Sequence, residues 1–173
     1  IGDNAVVTAV STDTRTISNG ALFIPLKGAS FDGHKFIDVA VENGAVAVIS
    51  QEEINTTVPV IMVEDTHKAL GDLARYYRSI YKIPVVGITG STTTKDIVAS
   101  VLAQKYNVLK TEGNFNNDIG VPLTLFRLED DTECAVIEMG MNHFGEISYL
   151  THIANPDMAV ITNVGVSHIE NLG

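Results

Sequence analysis

With one cysteine, eleven basic residues against twenty-one acidic ones and no long apolar run, the chain is defined first by what is scarce in it. The single thiol, Cys134, excludes an internal disulfide framework and fits a reducing compartment, so a cytoplasmic location is expected. It sits within the apolar run CAVIEMG, where a buried structural thiol is the expected reading over a nucleophile. The shortage of Lys and Arg leaves a formal net charge of -10. That argues against a nucleic-acid surface, which needs clustered basic residues. It does not argue against a nucleotide, which backbone N–H groups and a metal can hold. No apolar stretch approaches the ~20 residues that span a bilayer, so no membrane insertion is expected, and no signal peptide is visible. The first residue is Ile1 rather than Met, and Gly173 follows directly on a motif-like segment. Both ends are therefore expected to be cut from a longer protein.

What is present reads as a globular α/β chain, 45% hydrophobic and 18% charged, long enough for one large domain or two small ones. Short apolar runs at Ala21–Leu26, Ala45–Ser50 and Val58–Glu64 predict strands. Between the first two, Phe36, Ile37, Ala40 and Val41 share a helical face, with Gly44 as its stop. Asp65 is placed to cap a longer helix carrying Ala69, Leu70, Leu73, Ala74, Tyr77, Ile80 and Tyr81. Tyr76 and Tyr77 are expected as packing aromatics. Lys82-Ile83-Pro84 ends that helix, because the residue before a proline avoids helical backbone. A boundary there divides the chain into domains at 1–82 and 83–173. The second half predicts strands at PVVGITG, YNVLKT, CAVIEMG and DMAVITNVG, with helices at about Thr93–Gln104, from Pro122, and over GEISYLTHIA. Strands alternating with helices mean βαβ units and a mainly parallel sheet covered on both faces. Ligands of such sheets bind at the carboxyl ends of the strands. Three of those ends carry unusual chemistry: Gly90-Ser91-Thr92, Glu138, and Asn163 to His168.

The stretch VVGITGSTTTKD has the layout of a phosphate-binding loop: a strand, a turn eased by Gly87 and Gly90, and the hydroxyls of Thr92 and Thr93 at a helix start. Exposed N–H groups there attract phosphate, and one Thr could ligate Mg²⁺. The plainer reading is a strand-to-helix turn with a Ser/Thr cap. The loop signature requires a lysine before the Thr, and none is present; Lys95 lies most of a turn further into the helix. Glu138 ends an apolar strand, where a carboxylate is costly unless it meets a cation or hydrogen-bond donors. It suits Mg²⁺, which takes few carboxylates, and equally suits a salt-bridged strand end. His168 also follows a strand; a lone histidine is more often a surface or hydrogen-bonded residue than a ligand, and since magnesium prefers oxygen its contact to the ion would run through water. His143 and His152 have no comparable setting. In EGNFNNDIGVP, Asn114, Asn116 and Asn117 could orient a polar substrate or simply form turns. In the first half, Asp13-Thr14-Arg15 offers a bidentate phosphate grip or a surface ion pair, and Asp32-Gly33-His34 forms a second polar cluster.

These pieces occur in order across nearly the whole chain, as DTRTISNGALFIPLKG, DGHKF, GITGS and TTTKD, GNFNNDIGVPLTL, IEMGMNHFGEI and TNVGVSHIENLG. Together they resemble the ATP-dependent Mur ligases of bacterial cell-wall synthesis. The resemblance implies a three-domain protein. The chain would hold a small α/β N-terminal domain that binds a UDP-linked substrate, and part of a P-loop-type ATPase domain with a mainly parallel sheet. A C-terminal domain and a carbamylated lysine would lie beyond Gly173. It further implies that Asp13, Thr14 and Arg15 receive the uridine diphosphate end, with Gly33 and His34 as further candidates. Gly90, Ser91, Thr92 and Thr93 would bind ATP; Thr92, Glu138 and His168 would be associated with Mg²⁺, the last two in a catalytic role. Asn114, Asn116 and Asn117 would lie near the muramoyl-peptide substrate.

Within that resemblance, the segment EMGMNHFGEI implies UDP-N-acetylmuramoyl-tripeptide and D-alanyl-D-alanine as the expected substrates. The implied chemistry is acyl activation: the peptide carboxylate attacks the γ-phosphate of ATP, and an amine then displaces phosphate from the acyl phosphate. A monomer is expected, although no sequence feature sets the oligomeric state. Two alternatives stay open: a sister amide ligase, or a non-catalytic UDP-sugar-binding module that has lost ATP use. Family members carry Asn-Gly-Lys between the Ser and the Thr run. Because both flanks match, those three residues are expected to belong between Ser91 and Thr92.

Overall fold

The computed structural model describes residues 5–163 and divides into two compact units, Ile1–Leu70 and Gly71–Gly173. Both are α/β with parallel sheets, as the alternation of apolar runs and helical faces predicts. In the first unit, β1 (Ala9–Ser11), β2 (Ala21–Phe23), β3 (Ala45–Ser50) and β4 (Val60–Met62) form one sheet in that order, with every pairing parallel. A 3-10 turn at Gly33–Phe36 and α1 (Ile37–Glu42) connect β2 to β3. Phe23, Ile37, Ala40, Ala45 and Val48 make the core on one face. Gly44 ends α1 at φ 111°, backbone that L side chains rarely adopt, and a Cβ there would collide with Asn19.

Three details differ from expectation. The strand β1 was not anticipated, since three half-buried residues give no periodic signal. β2 stops before Pro25 and β4 starts after Pro59, shorter than their apolar runs. Phe36 was expected on the buried face of a helix. The 3-10 turn advances three residues per turn rather than 3.6, and Phe36 lies exposed, stacked on Phe31 at 5.6 Å.

α2 (Thr66–Ile80) begins in the first unit and continues into the second. Asp65 caps it as expected: its Oδ1 accepts from the N–H of Lys68 at 3.0 Å. Beyond α2 the second unit contains β5 (Val85–Thr89), α3 (Thr92–Leu102), β6 (Val108–Lys110), α4 (Gly120–Leu125), β7 (Cys134–Glu138), α5 (Glu146–Ala154) and β8 (Met158–Ile161). Its strands run in the order β6-β7-β5-β8, all parallel. From β5 the chain crosses to the far edge, returns to β7 and then leaves to the other side of β5. The direction of winding therefore reverses at the β5–β7 pair, where open α/β sheets form their ligand crevice.

Strand alternation sorts the side chains between two layers. Val86, Ile88 and Val136 pack with Ala99 of α3 on one face. Val85, Ala135 and Ile137 pack with Ala74, Leu125 and Leu150 on the other. Cys134 is buried and unpaired, and burial pushes its thiol up, as befits a structural residue. Tyr77 packs against Tyr81 and Phe126 and donates to the Leu128 carbonyl at 3.0 Å. Tyr76, expected beside it in the core, is 68% exposed. Adjacent helical positions point about 100° apart, so only one of the two reaches the sheet.

Arg78 joins three segments of this unit. Its guanidinium is buried, and burial holds its pKa below the usual arginine value. Nε donates to the carbonyl of Ala154 at 3.3 Å, Nη1 to Tyr81 at 2.7 Å and Nη2 to Ile83 at 3.2 Å. Asp157 lies 3.6 Å away and accepts from the N–H of Val85 at 2.8 Å. The last turn of α2, the start of β5 and the end of α5 thus share one cation. Arg78→Met keeps the apolar stem but strands the carbonyls, and is expected to destabilise the protein by about 3 kcal/mol. Urea unfolding measures it; a loss within error of zero shows the cluster to be replaceable by water.

Candidate active site

Glu138 is the last residue of β7, and alternation turns it to the same face as Val136, towards α3. The strands β5 and β7 are neighbours in register Ile88↔Glu138, so the loop after β5 arrives beside that carboxylate. Glu138 is 5% exposed. Its Oε1 accepts from Thr92 Oγ1 at 2.8 Å and from Asn116 Nδ2 at 3.1 Å. Its backbone N–H donates to Thr111 Oγ1 at 2.9 Å. Oε2 has no hydrogen-bond partner, a distinction it holds alone among the buried side-chain oxygens and nitrogens of the described residues. The Lys95 ammonium stands 3.8 Å from it.

Two of the three metal-associated candidates, Thr92 and Glu138, therefore meet. A buried carboxylate oxygen left open beside a threonine hydroxyl is a hard oxygen donor set, which fits Mg²⁺ and its preference for one or two carboxylates. The third, His168, lies outside the described residues.

Gly90 and Ser91 form the turn that delivers Thr92. Gly90 has φ 94°, and a Cβ there would meet Thr162 and Asn163, so the β5 turn and the end of β8 approach too closely for a larger residue. Ser91 and Thr92 are consecutive in the cap of α3. Ser91 Oγ accepts from the N–H of Thr94 at 3.2 Å, and its carbonyl accepts from the N–H of Lys95 at 3.2 Å. Thr93 is exposed on the outer side of the first turn. No lysine comes from this turn. Lys95, set aside in the sequence as too far into the helix, is 2% exposed and faces Glu138. The signal for it was present: Thr92, Lys95 and Ala99 follow 3-4 spacing, which places all three on the sheet side of α3.

The asparagines separate. Asn116 reaches Glu138, and its carbonyl accepts from the N–H of Gly140 at 2.7 Å. Asn117 Oδ1 accepts from the N–H groups of Ile119 at 3.3 Å and Gly120 at 2.8 Å, so its oxygen starts α4. Asn114 is exposed and its carbonyl accepts from the N–H of Asn116 at 2.8 Å within the turn. Asn116 and Asn117 also border a polar hollow of about 250 Å³ shared with Asn142, His143 and Glu146. Glu146 accepts from the N–H groups of Asn142 at 2.6 Å and His143 at 3.1 Å, which hold its carboxyl below the ordinary range. His143, which showed no role in the sequence, closes this loop through Nδ1 at 3.1 Å from Glu146.

In the first unit the candidates satisfy one another. Arg15 Nε lies 2.9 Å from Asp13 Oδ1, and Nη2 lies 2.6 Å from Oδ2, the surface-pair alternative. That pairing lowers the Asp13 carboxyl to about 2. The Arg15 side chain is 86% exposed, so its remaining donors face solvent. The Thr14 carbonyl accepts from Asn43 Nδ2 at 3.0 Å. His34 is buried with Nδ1 at 2.8 Å from Asp32, and Gly33 is pressed against Pro25 and Leu26. Asp32, His34 and Glu52 gather closely enough to ligate a metal. Lys27 already supplies a cation there, 2.7 Å from Glu52 and 3.8 Å from Asp32.

Comparison with known proteins identifies the family. Residues 85–173 match the Mur ligase middle domain, and residues 6–78 match the model described as Mur ligase family, catalytic domain. UDP-N-acetylmuramoyl-tripeptide–D-alanyl-D-alanine ligase of Bacillus subtilis (strain 168) is 48% identical over 177 residues, covering 99% of this chain and 39% of the relative. The Escherichia coli (strain K12) ligase of the same name is 42% identical over 175 residues, with 99% and 39% coverage. A crystal structure of MurF from Acinetobacter baumannii superposes with a TM-score of 0.90 at 38% identity, covering 94% of this chain and 37% of that one. MurF ligase from Thermotoga maritima, solved in complex with ADP, gives 0.86 at 36%, covering 97% and 40%. The chain thus spans about 39% of the length of the curated relatives it matches. The chain belongs to the Mur ligase family.

Proposed function

We propose that the chain is the front part of an ATP-dependent ligase that joins D-alanyl-D-alanine to UDP-N-acetylmuramoyl-tripeptide by way of an acyl phosphate. The observation that carries the reading is the open Oε2 of Glu138 beside Thr92, at the point where the sheet reverses its winding. Relatives bearing that ligase name match over the whole chain, and one MurF structure was solved with ADP. When bound, Mg²⁺ supplies countercharge to the phosphates of ATP. Glu138 and Thr92 would hold that ion, and Ser91 with the first N–H groups of α3 would face the phosphates. Asn116 keeps Glu138 aimed by donating to Oε1, which leaves Oε2 for the cation. The first unit would take the uridine diphosphate end of the substrate through the Asp13–Arg15 loop. A cytoplasmic, monomeric enzyme is part of the same reading.

A second reading, a UDP-sugar-binding module without ATP use, is favoured by one observation: Ser91 runs into Thr92 with no lysine between them. We hold the inserted Asn-Gly-Lys to belong to the working loop. Tryptic mapping of the full-length protein separates the two readings, because a lysine there creates a cleavage site. The expected result is that peptide 83–95 is never recovered whole; its recovery intact, with full digestion elsewhere, establishes the binding module.

In the full-length ligase, Glu138→Gln keeps shape and removes charge. Turnover is expected to fall by at least about a hundredfold, with the apo protein still folded by circular dichroism. Turnover within a few-fold of the parent at ordinary magnesium would make Glu138 a structural strand end. Arg15→Ala is expected to weaken the UDP-linked substrate about tenfold and to leave ATP affinity unchanged, since the two ligands use different units. Equal loss for both ligands in equilibrium binding contradicts that division.

A further inference from the structure

Lys95 is a buried cation that the proposed chemistry does not use. Its ammonium lies between two carboxylates, 3.3 Å from Asp96 Oδ1 and 3.8 Å from Glu138 Oε2. Asp96 Oδ1 also accepts from Lys110 Nζ at 2.9 Å. Lys110, Asp96, Lys95 and Glu138 thus form a line of alternating charge running from the surface to the buried end of β7. A charge-assisted N–H···O bond settles at about 2.7–2.9 Å, and the Lys95–Glu138 separation is well beyond that. The ammonium is near enough to offset the charge of Glu138, yet does not fill the coordination position on Oε2.

We propose that Asp96 tethers Lys95, so that the ammonium stabilises Glu138 in the cation-free protein without closing on Oε2, and that this pair sets the affinity of the site for a divalent cation. The proposal rests on Glu138 being the cation ligand. Two electrostatic effects oppose each other at this oxygen. A buried carboxylate with no countercharge is costly to keep ionised. A lysine in full contact would have to be displaced by every incoming cation, and two like charges would then crowd one oxygen. Sharing the ammonium with Asp96 meets the first demand and limits the second. Lys95 and Asp96 are positioning residues here; neither touches the reacting atoms.

The test is a manganese titration of the full-length protein without nucleotide, counting free ion by paramagnetic resonance. Asp96→Asn releases Lys95 onto Glu138 and is expected to weaken manganese about fivefold; Lys95→Met removes the competitor and is expected to tighten it by a similar factor. The double variant Lys95→Met/Asp96→Asn should bind like Lys95→Met alone, because Asp96 acts only through the ammonium. Equal weakening by Asp96→Asn in both backgrounds would show a plain remote charge and overturn the tether. Asp96 is 47% exposed, so its single variant folds even if Lys95→Met does not, and unchanged affinity in that variant alone overturns the proposal. Glu138→Gln is the control: manganese bound as tightly as in the parent removes the metal reading itself, a failure distinct from that of the tether.

Discussion

A carboxylate held out of water at the end of a strand must find donors or a cation, and the second unit is arranged around meeting that demand at Glu138. The donors come from distant parts of the chain, Thr92 from the helix after β5 and Asn116 from the loop before α4, while Thr111, just beyond β6, accepts from the Glu138 backbone N–H. They can converge because the strands are parallel, so their carboxyl ends lie on one edge. The order β6-β7-β5-β8 then sets β5 directly beside β7. Oε1 is satisfied twice while Oε2 is left open. That asymmetry within one carboxylate is the feature on which the proposed cation site rests.

The first unit shows the contrast. Asp13 closes on Arg15, Asp32 on His34, and Lys27 joins Asp32 to Glu52. Each of these charges is answered within a few ångströms by a neighbouring side chain. Those pairs hold loops at the ends of short strands and leave charged groups near the surface. In the second unit the central charge is buried and incompletely answered, which suits a small cation of high charge density. Two parts of one chain thus handle polar groups in opposite ways.

Much of this is legible in the amino-acid sequence. The runs AVAVIS, CAVIE and VVGIT are strands because β-branched residues pack on a pleated, covered surface. Asp65 caps α2 because a carboxylate beside free N–H groups is stabilised wherever the helix sits. Less legible are features that depend on phase or contact. The strand β1 is too short for a period, Phe36 is turned outward by a 3-10 turn, and Tyr76 and Tyr77 are alike as residues but opposite in burial. Arg78 gives no hint of its role, since its partners at Ala154 and Asp157 are remote along the chain.

The sequence by itself determined the alternation of strands and helices, the glycine turn after β5, and the unusual residues at strand ends, because each is a matter of local backbone preference and hydrophobic period. Tertiary structure alone decided which of those residues meet. Strand order is set by how crossovers pack across the sheet, and no local pattern encodes it. That order brought Thr92 and Asn116 to Glu138, while local loop geometry assigned Asn117 to the start of a helix and returned Arg15 to Asp13. It also turned Lys95, an ordinary helix residue in the sequence, into the buried charge nearest the open oxygen.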